Sequence, residues 1–171
     1  MSKYFISICF FVFILILFNY SLSIAVTNKE QDSILTSAES LFKMMKEKNY
    51  VRIWFFLSHT SRNAIIDDTY KNMMLYAKER GKGMAYSKEQ IKDNFKTGGT
   101  IAQAYWNSYL DAFNPDMVLE QSRWEMGKVG KERAQINIIY KKAERPAVIQ
   151  MFKEEGNWRV GLAETFKSAK R

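Results

Sequence analysis

The stretch ERAQINIIYKK, residues 132–142, decides the fold class. Ala134, Ile136, Ile138 and Tyr140 alternate with Gln135, Asn137 and Ile139, the period-two pattern of a strand with one apolar face and one mixed face. A strand of this kind needs neighbours, and three runs of β-branched and aromatic residues lie around it. They are MVLEQSRWEM (117–126), PAVIQMFK (146–153) and NWRVGLAETF (157–166), separated by the turn-forming GKVGK, AERP and EEGN. The spacing predicts a four-stranded antiparallel meander after Pro115, covered by helices on one side. In FKEEGNWRVG (152–161) the Gly156-Asn157 pair is expected at the hairpin corner, with Trp158 opening the last strand.

Upstream the apolar period lengthens from two to between three and four. Thr27 and Glu30 have capping-box spacing, and Ile34, Leu35, Ala38, Leu41, Phe42 and Met45 follow at helical intervals up to Asn49. YVRIWFFLS (50–58) is too short and too uniformly apolar for its period to separate strand from helix. SRNAIIDDTYKNMMLYAKERGKG (61–83) predicts a third helix with Ile65, Ile66, Thr69, Met73 and Ala77 along one side, closed by Gly81 and Gly83. Two more capping boxes, Ser87 with Gln90 and Thr100 with Gln103, open SKEQIKDNFK and TIAQAYWNSYLDAF. Gly98-Gly99 separates these two helices and Asn114-Pro115 ends the second. Helices first and sheet last is the order of an α+β domain.

At 171 residues, with 47% hydrophobic and 26% charged side chains, the chain accommodates one folded domain. Its N-terminus stands apart. MSK is followed by YFISICFFVFILILF (4–18), fifteen residues without a charge, and then by NYSLSIAV with small residues at Ser21, Ser23 and Ala25. That is the layout of a secretory signal peptide over residues 1–25, cleaved near Ile24 or Val26, with residues 26–171 as the mature domain. The alternative is an uncleaved anchor over residues 4–26, which would keep the protein at the inner membrane. After cleavage an exported location, periplasmic or secreted, is expected. The only cysteine, Cys9, lies inside the apolar run, so lipoprotein processing is not expected and the mature chain has no thiol for a disulfide or a metal.

Lys3 is the only charged residue removed, which leaves 25 Lys and Arg against 18 Asp and Glu, a net +7. Because the cations are spread along the chain, this excess favours solubility and attraction to anionic envelope surfaces, and nucleic acid is not an expected partner. No glycine-rich dinucleotide or phosphate loop, zinc motif or nucleophile elbow is present, and no cofactor is expected.

SLFKMMKEKNYVRIWFFLSHTSR (40–62), the meander from Met117 to Phe166 and the closing FKEEGNWRVG together resemble the nuclear transport factor 2-like superfamily. That is a cone-shaped α+β fold whose members include ketosteroid isomerases, polyketide cyclases and exported bacterial domains. The resemblance implies a short second helix over YVRIWFFLS, a curved sheet around an interior pocket, and dimerisation through the outer sheet face, where Ile139 lies.

The chemistry such a fold would need is thinly supplied. An isomerase of this type requires an aspartate base in the cone with tyrosine or protonated-acid donors. The meander instead offers Glu120, Glu125, Glu132 and Glu144, mostly at polar-facing or turn positions, while Asp111 lies on the helix that carries Tyr105 and Trp106. His59, the only histidine, follows the second helix and is expected as a surface or capping residue; Asp67 and Asp68 point about 100° apart on one helix. The expectation is therefore a non-catalytic domain that binds a small apolar ligand or an envelope protein. Trp54, Tyr105, Trp106, Tyr109, Trp124 and Trp158 are the candidate pocket lining, and they are equally suited to fill the core. The runner-up is a small isomerase or lyase, and a third reading is a membrane-anchored accessory module for envelope assembly.

Overall fold

Seven helices precede or flank a four-stranded sheet in a computed structural model that describes residues 28–83 and 85–167. The signal or anchor segment and Thr27 lie outside the described residues. The chain divides into two units, 1–33 and 34–171, and the description below concerns the second. Helix α1 runs over 28–46, α2 over Tyr50–Phe56, α3 over His59–Glu79, α4 over Lys88–Thr97, α5 over Thr100–Ala112 and α6 over Pro115–Leu119. Strands β1 (Ser122–Val129), β2 (Arg133–Tyr140), β3 (Ala147–Glu154) and β4 (Asn157–Gly161) follow, and α7 (Leu162–Lys167) closes the described chain.

The sheet is an antiparallel meander in the order β1-β2-β3-β4, so the fold is α+β. Ala134, Ile136 and Ile138 of β2 are buried together with Ile149, Met151, Trp158 and Val160 of the neighbouring strands, which is the face the alternation in 132–142 predicts. The helices add Ile34, Ala38, Leu41, Phe42 and Met45 from α1, Ile53 and Trp54 from α2, Ile91 and Phe95 from α4, and Trp106 from α5 to the same core. YVRIWFFLS resolves as helix α2, capped by the Asn49 side chain on the Arg52 amide.

Four local expectations are corrected. MVL of the first predicted strand belongs to α6, where Asn114 caps and Pro115 takes the first turn, and β1 begins only at Ser122. β1 then continues through Gly127 to Val129 with a register shift after Met126, so most of GKVGK is strand rather than turn. LAETF leaves the sheet at Gly161 and coils into α7; the Thr165 hydroxyl donates to the Gly161 carbonyl while accepting from the Gln150 amide. The hairpin corner is Glu155-Gly156, both at positive φ (51° and 77°) between the paired Glu154 and Asn157, which is a two-residue turn one position earlier than expected.

The capping box at Ser87 and Gln90 forms as read, with both hydrogen bonds present. Its twin at Thr100 and Gln103 does not form. Gly99 occupies the cap position, and the Asn94 side-chain oxygen, reaching across from α4, accepts from the Ile101 and Ala102 amides at 3.0 and 3.1 Å. A β-carbon at Gly99 would lie 2.5 Å from the Asn94 amide group, so only glycine leaves room for this cap. Gly98, at φ 67°, meanwhile closes α4 in the left-handed conformation.

The two edges of the sheet are treated differently. β1 carries the exposed Arg123, Glu125 and Lys128. β4 is covered by the α2–α3 joint, where Leu57 bridges Val160, the Ser58 amide donates to the Val160 carbonyl and Arg159 donates to the Phe55 carbonyl. The buried hydroxyls of Ser58 and Ser61 donate to opposite oxygens of Glu164 at 2.9 and 2.6 Å, fastening the start of α3 to α7. Trp158 is buried on the inner face, and its carbonyl accepts from Ser37 of α1 at 2.6 Å, so the residue that opens β4 also ties the sheet to the first helix.

Two outcomes are expected in chemical denaturation. Asn94→Ala should destabilise the domain by about 1–2 kcal/mol, the cost of losing a helix cap, whereas Thr100→Ala should stay within about 0.5 kcal/mol of the parent. Trp158→Ala should cost about 3–5 kcal/mol by opening the core between sheet and α1.

Candidate functional site

The long helix α3 has more apolar surface than the sheet can cover. Ile65, Ile66 and Thr69 are buried, Met73 only partly, and beyond them Met74, Leu75 and Tyr76 are exposed. One side of α3, stepping by three and four through Ile65, Asp68, Thr69, Asn72, Met73 and Tyr76, faces a groove whose opposite wall is the stripe Thr100, Ile101, Ala104, Tyr105 and Tyr109 of α5.

The groove holds two neighbouring hollows, and a third opens beyond its end. The first, about 250 Å³, is lined by Ala64, Ile65, Asp68, Tyr105 and Tyr109 and closed by Leu162, Ala163 and Phe166 of α7. The second, about 330 Å³, shares Tyr105 with the first and adds Thr69, Ile101 and Ala104. The third, about 480 Å³, shares Asn72 and Met73 with the second and runs along Tyr76 and Ala77 to Arg80, which stacks over the Tyr76 ring at 4.2 Å; its other wall is Lys82, Gly83 and Ala85 after α3, not α5.

The electrostatics favour neutral hydroxyls in apolar surroundings. Burial, reinforced by the charge of Asp68, pushes the Tyr105 phenol up to about 12, and burial next to Tyr105 pushes Tyr109 up as well. Both phenols are thus hydrogen-bond donors at any physiological pH. Two further polar atoms on the groove helices, Thr69 Oγ1 and Trp106 Nε1, are buried without a hydrogen-bond partner among the described residues. Thr69 belongs to the lining of the second hollow.

The six aromatic residues singled out from the sequence divide between lining and filling. Tyr105 and Tyr109 line the groove. Trp124 borders a separate hollow of about 270 Å³ with Leu35, Glu39 and Leu119, and its indole nitrogen donates to the Val118 carbonyl at 2.9 Å. Trp54 stacks on Phe95 at 5.0 Å and forms the base of a small cleft between α3 and α4. Trp106 and Trp158 are buried in the core. The buried polar side chains among the described residues are hydroxyls (Ser58, Ser61, Thr69 and Thr165).

His59 is the first residue of α3, just after the Ser58 cap. Its amide donates to both oxygens of Glu154 and its ring lies 3.7 Å from the same carboxylate. Asp68, Leu162 and Phe166 were not among the residues marked for the site. The only available signal was the three-and-four spacing on α3, which reads as core until the neighbouring helix is placed.

Among the described residues no helix is long and apolar enough to cross a membrane, and no group of three or more His, Cys, Asp or Glu side chains is arranged to hold a metal ion. Compared with protein-family models, curated proteins and solved structures, the chain matches none of them.

The two raised phenols give a pH signature. In the unfolded chain they ionise near 10, while in the fold they stay neutral to about 12 or beyond, so the unfolded state loses protons first. Their contribution to stability is complete below pH 10 and is lost as pH rises through the folded values. A Tyr105→Phe, Tyr109→Phe double variant should show a shallower fall in melting temperature between pH 10 and 12 than the parent, measured by circular dichroism.

Proposed function

We propose that this chain is an exported, non-catalytic domain with a nuclear transport factor 2-like fold that holds a small apolar ligand in the groove between α3 and α5. The observation that supports it is the pairing of Tyr105 and Tyr109, two neutral donors, with hollows walled by Ile65, Ile101, Ala104, Met73 and Leu162. Apolar walls with a few placed polar groups are the usual make-up of a small-molecule site. The charge-free run 4–18 and the small residues that follow it support export, and the sheet's interior is occupied by side chains such as Trp158, Ile136 and Met151, which favours the groove over the cone as the site.

One feature favours a second reading. Asp68 shares the first hollow with Tyr105 and Tyr109, which is the composition of a proton-transfer site in which a carboxylate takes a proton next to a carbonyl and phenols hydrogen-bond the enolate oxygen. Turnover of a cyclic ketone by the purified protein, abolished by Asp68→Asn, would establish that reading and remove the first.

Native mass spectrometry of the full-length protein, expressed with its own N-terminus and recovered from the envelope fraction, tests the proposal. The expected result is a processed species carrying a small adduct that Ile101→Arg removes. A bare species would count against a groove ligand and turn attention to an envelope protein partner, and the unprocessed mass would mark residues 4–26 as an anchor.

A further inference from the structure

The cleft between α3 and α4 lies apart from the groove. Positions 59, 63 and 67 of α3 and positions 88, 92 and 96 of α4 each step by four, so each set runs along one face of its helix. The first rung between the helices is an ordinary ion pair, Lys88 to Asp67 at 2.5 Å. At the following rungs the lysines continue but the carboxylates do not. Lys92 and Lys96 face a cleft that also receives Asn63, His59 and Arg62, with Trp54 and Ile66 as its apolar base. Like charges four apart on a helix repel, and Glu89 and Asp93 offset that repulsion from outside the cleft, leaving both ammonium groups directed at α3 across it.

Each of these cations has a carboxylate partner, but Lys92 and Lys96 each give only one of three ammonium donors to it and keep the others for the cleft. Glu89 and Asp93 sit three residues before Lys92 and Lys96 on the same helix, at 3.4 and 3.3 Å, with their side chains 78% and 69% exposed, and neither lines the cleft. Glu154 accepts two bonds from the His59 amide and stands 3.8 Å from Arg62. Arg62, only 20% exposed and donating through Nε to the Leu57 carbonyl, is pulled below its ordinary pKa mainly by burial, which Glu154 opposes and Arg159 reinforces. It is a partly desolvated cation whose one carboxylate partner stands 3.8 Å away, and arginine stays protonated in proteins.

The volume and the donor set define the ligand chemistry. The cleft holds about 180 Å³, room for a five-atom oxyanion and a few waters at about 30 Å³ of liquid per water. Donors approach from two helices, as two point-charge ammonium groups, a guanidinium and the Asn63 amide. A planar carboxylate offers two oxygens in one plane. A terminal phosphate offers three around one centre and a second negative charge, which suits convergent Lys and Arg donors. We infer that the α3–α4 cleft is a binding site for a terminal phosphate monoester, with Arg62, Lys92 and Lys96 as the charged contacts and Asn63 as a neutral one. The site lies outside the α3–α5 groove and stands whether or not that groove takes a ligand.

The test uses the full-length, ¹⁵N-labelled chain in a non-ionic detergent, titrated with inorganic phosphate and with glycerol 3-phosphate against sodium chloride at matched ionic strength. Saturable amide shifts are expected at residues 59–63 and 92–96. Lys92→Gln and Lys96→Gln should each weaken binding about tenfold, the loss expected of one charge-assisted hydrogen bond. Substitution of the exposed Lys141 and Lys142 in the turn after β2 by glutamine should leave it unchanged. Sedimentation with vesicles of phosphatidic acid, compared with vesicles of the phosphodiester phosphatidylglycerol, separates the sources. A preference for phosphatidic acid that Lys96→Gln removes identifies a lipid headgroup, and its absence alongside saturable soluble binding identifies a free monoester. Shifts that do not saturate, that spread equally over surface lysines, or that are untouched by both substitutions would overturn the inference.

Discussion

A chain of aromatic rings holds the helical layer together. Trp54 stacks on Phe95, Phe95 meets Tyr105 edge-on, and the contacts continue through Trp106, Tyr109, Phe113 and Phe42 to Trp124, each pair between 5.0 and 5.9 Å. Eight rings thus connect α2, α4, α5, α1 and β1 through contacts worth about 0.5–1.5 kcal/mol each beyond the area they bury. Rings are stiff and bulky. A layer built on them fixes helix spacing closely, and it places the α4 and α5 surfaces on which both the groove and the cationic cleft depend.

The same filling explains where free space is found. The inner face of the sheet packs Ile136, Met151, Trp158 and Val160 against Leu41, Phe42 and Met45. α3 is tied down at its first turns by Ser58, Ser61 and Arg62, while its later turns extend past the residues that could cover them. Two hollows therefore lie between that helix and α5, a third follows its last turns, and the small polar cleft opens on the side toward α4. The cost of a helix too long for its sheet is apolar exposure at Met74, Leu75 and Tyr76.

Much of the fold was legible because it rests on patterns local to the chain. The β2 alternation, the Ser87 capping box and the Gly98 helix end each depend on residues within a few positions of one another. The failures share a physical cause, which is a competitor from elsewhere. Thr100 and Gln103 have the right spacing for a cap, but the Asn94 oxygen already holds the amides that the threonine would have met. LAETF has strand-like composition, yet Glu164 and Thr165 find better partners in Ser58, Ser61 and the Gln150 amide once the chain coils. For the site, the sequence named Tyr105 and Tyr109 among six candidate lining residues, and these two do line the groove. It did not separate lining from filling among the tryptophans, because that depends on whether a second helix reaches the same face. The cationic cleft escaped for a related reason: Lys92 and Lys96 look like an ordinary solvated face until Asn63 and His59 stand opposite them.

The fastening of Glu164 to Ser58 and Ser61 spans more than a hundred residues, and the edge of β4 is paired with the joint that follows α2. Both contacts join the first third of the described chain to its last few residues. The helices α2, α4 and α5 can meet one another through Trp54, Phe95 and Tyr105 before the sheet exists, but the start of α3 and the end of α2 stay undocked until β4 and α7 arrive. High sequence separation of this kind slows folding. It also ties the stability of the α2–α3 joint to the presence of β4 and α7, so loss of either end of these contacts loosens both.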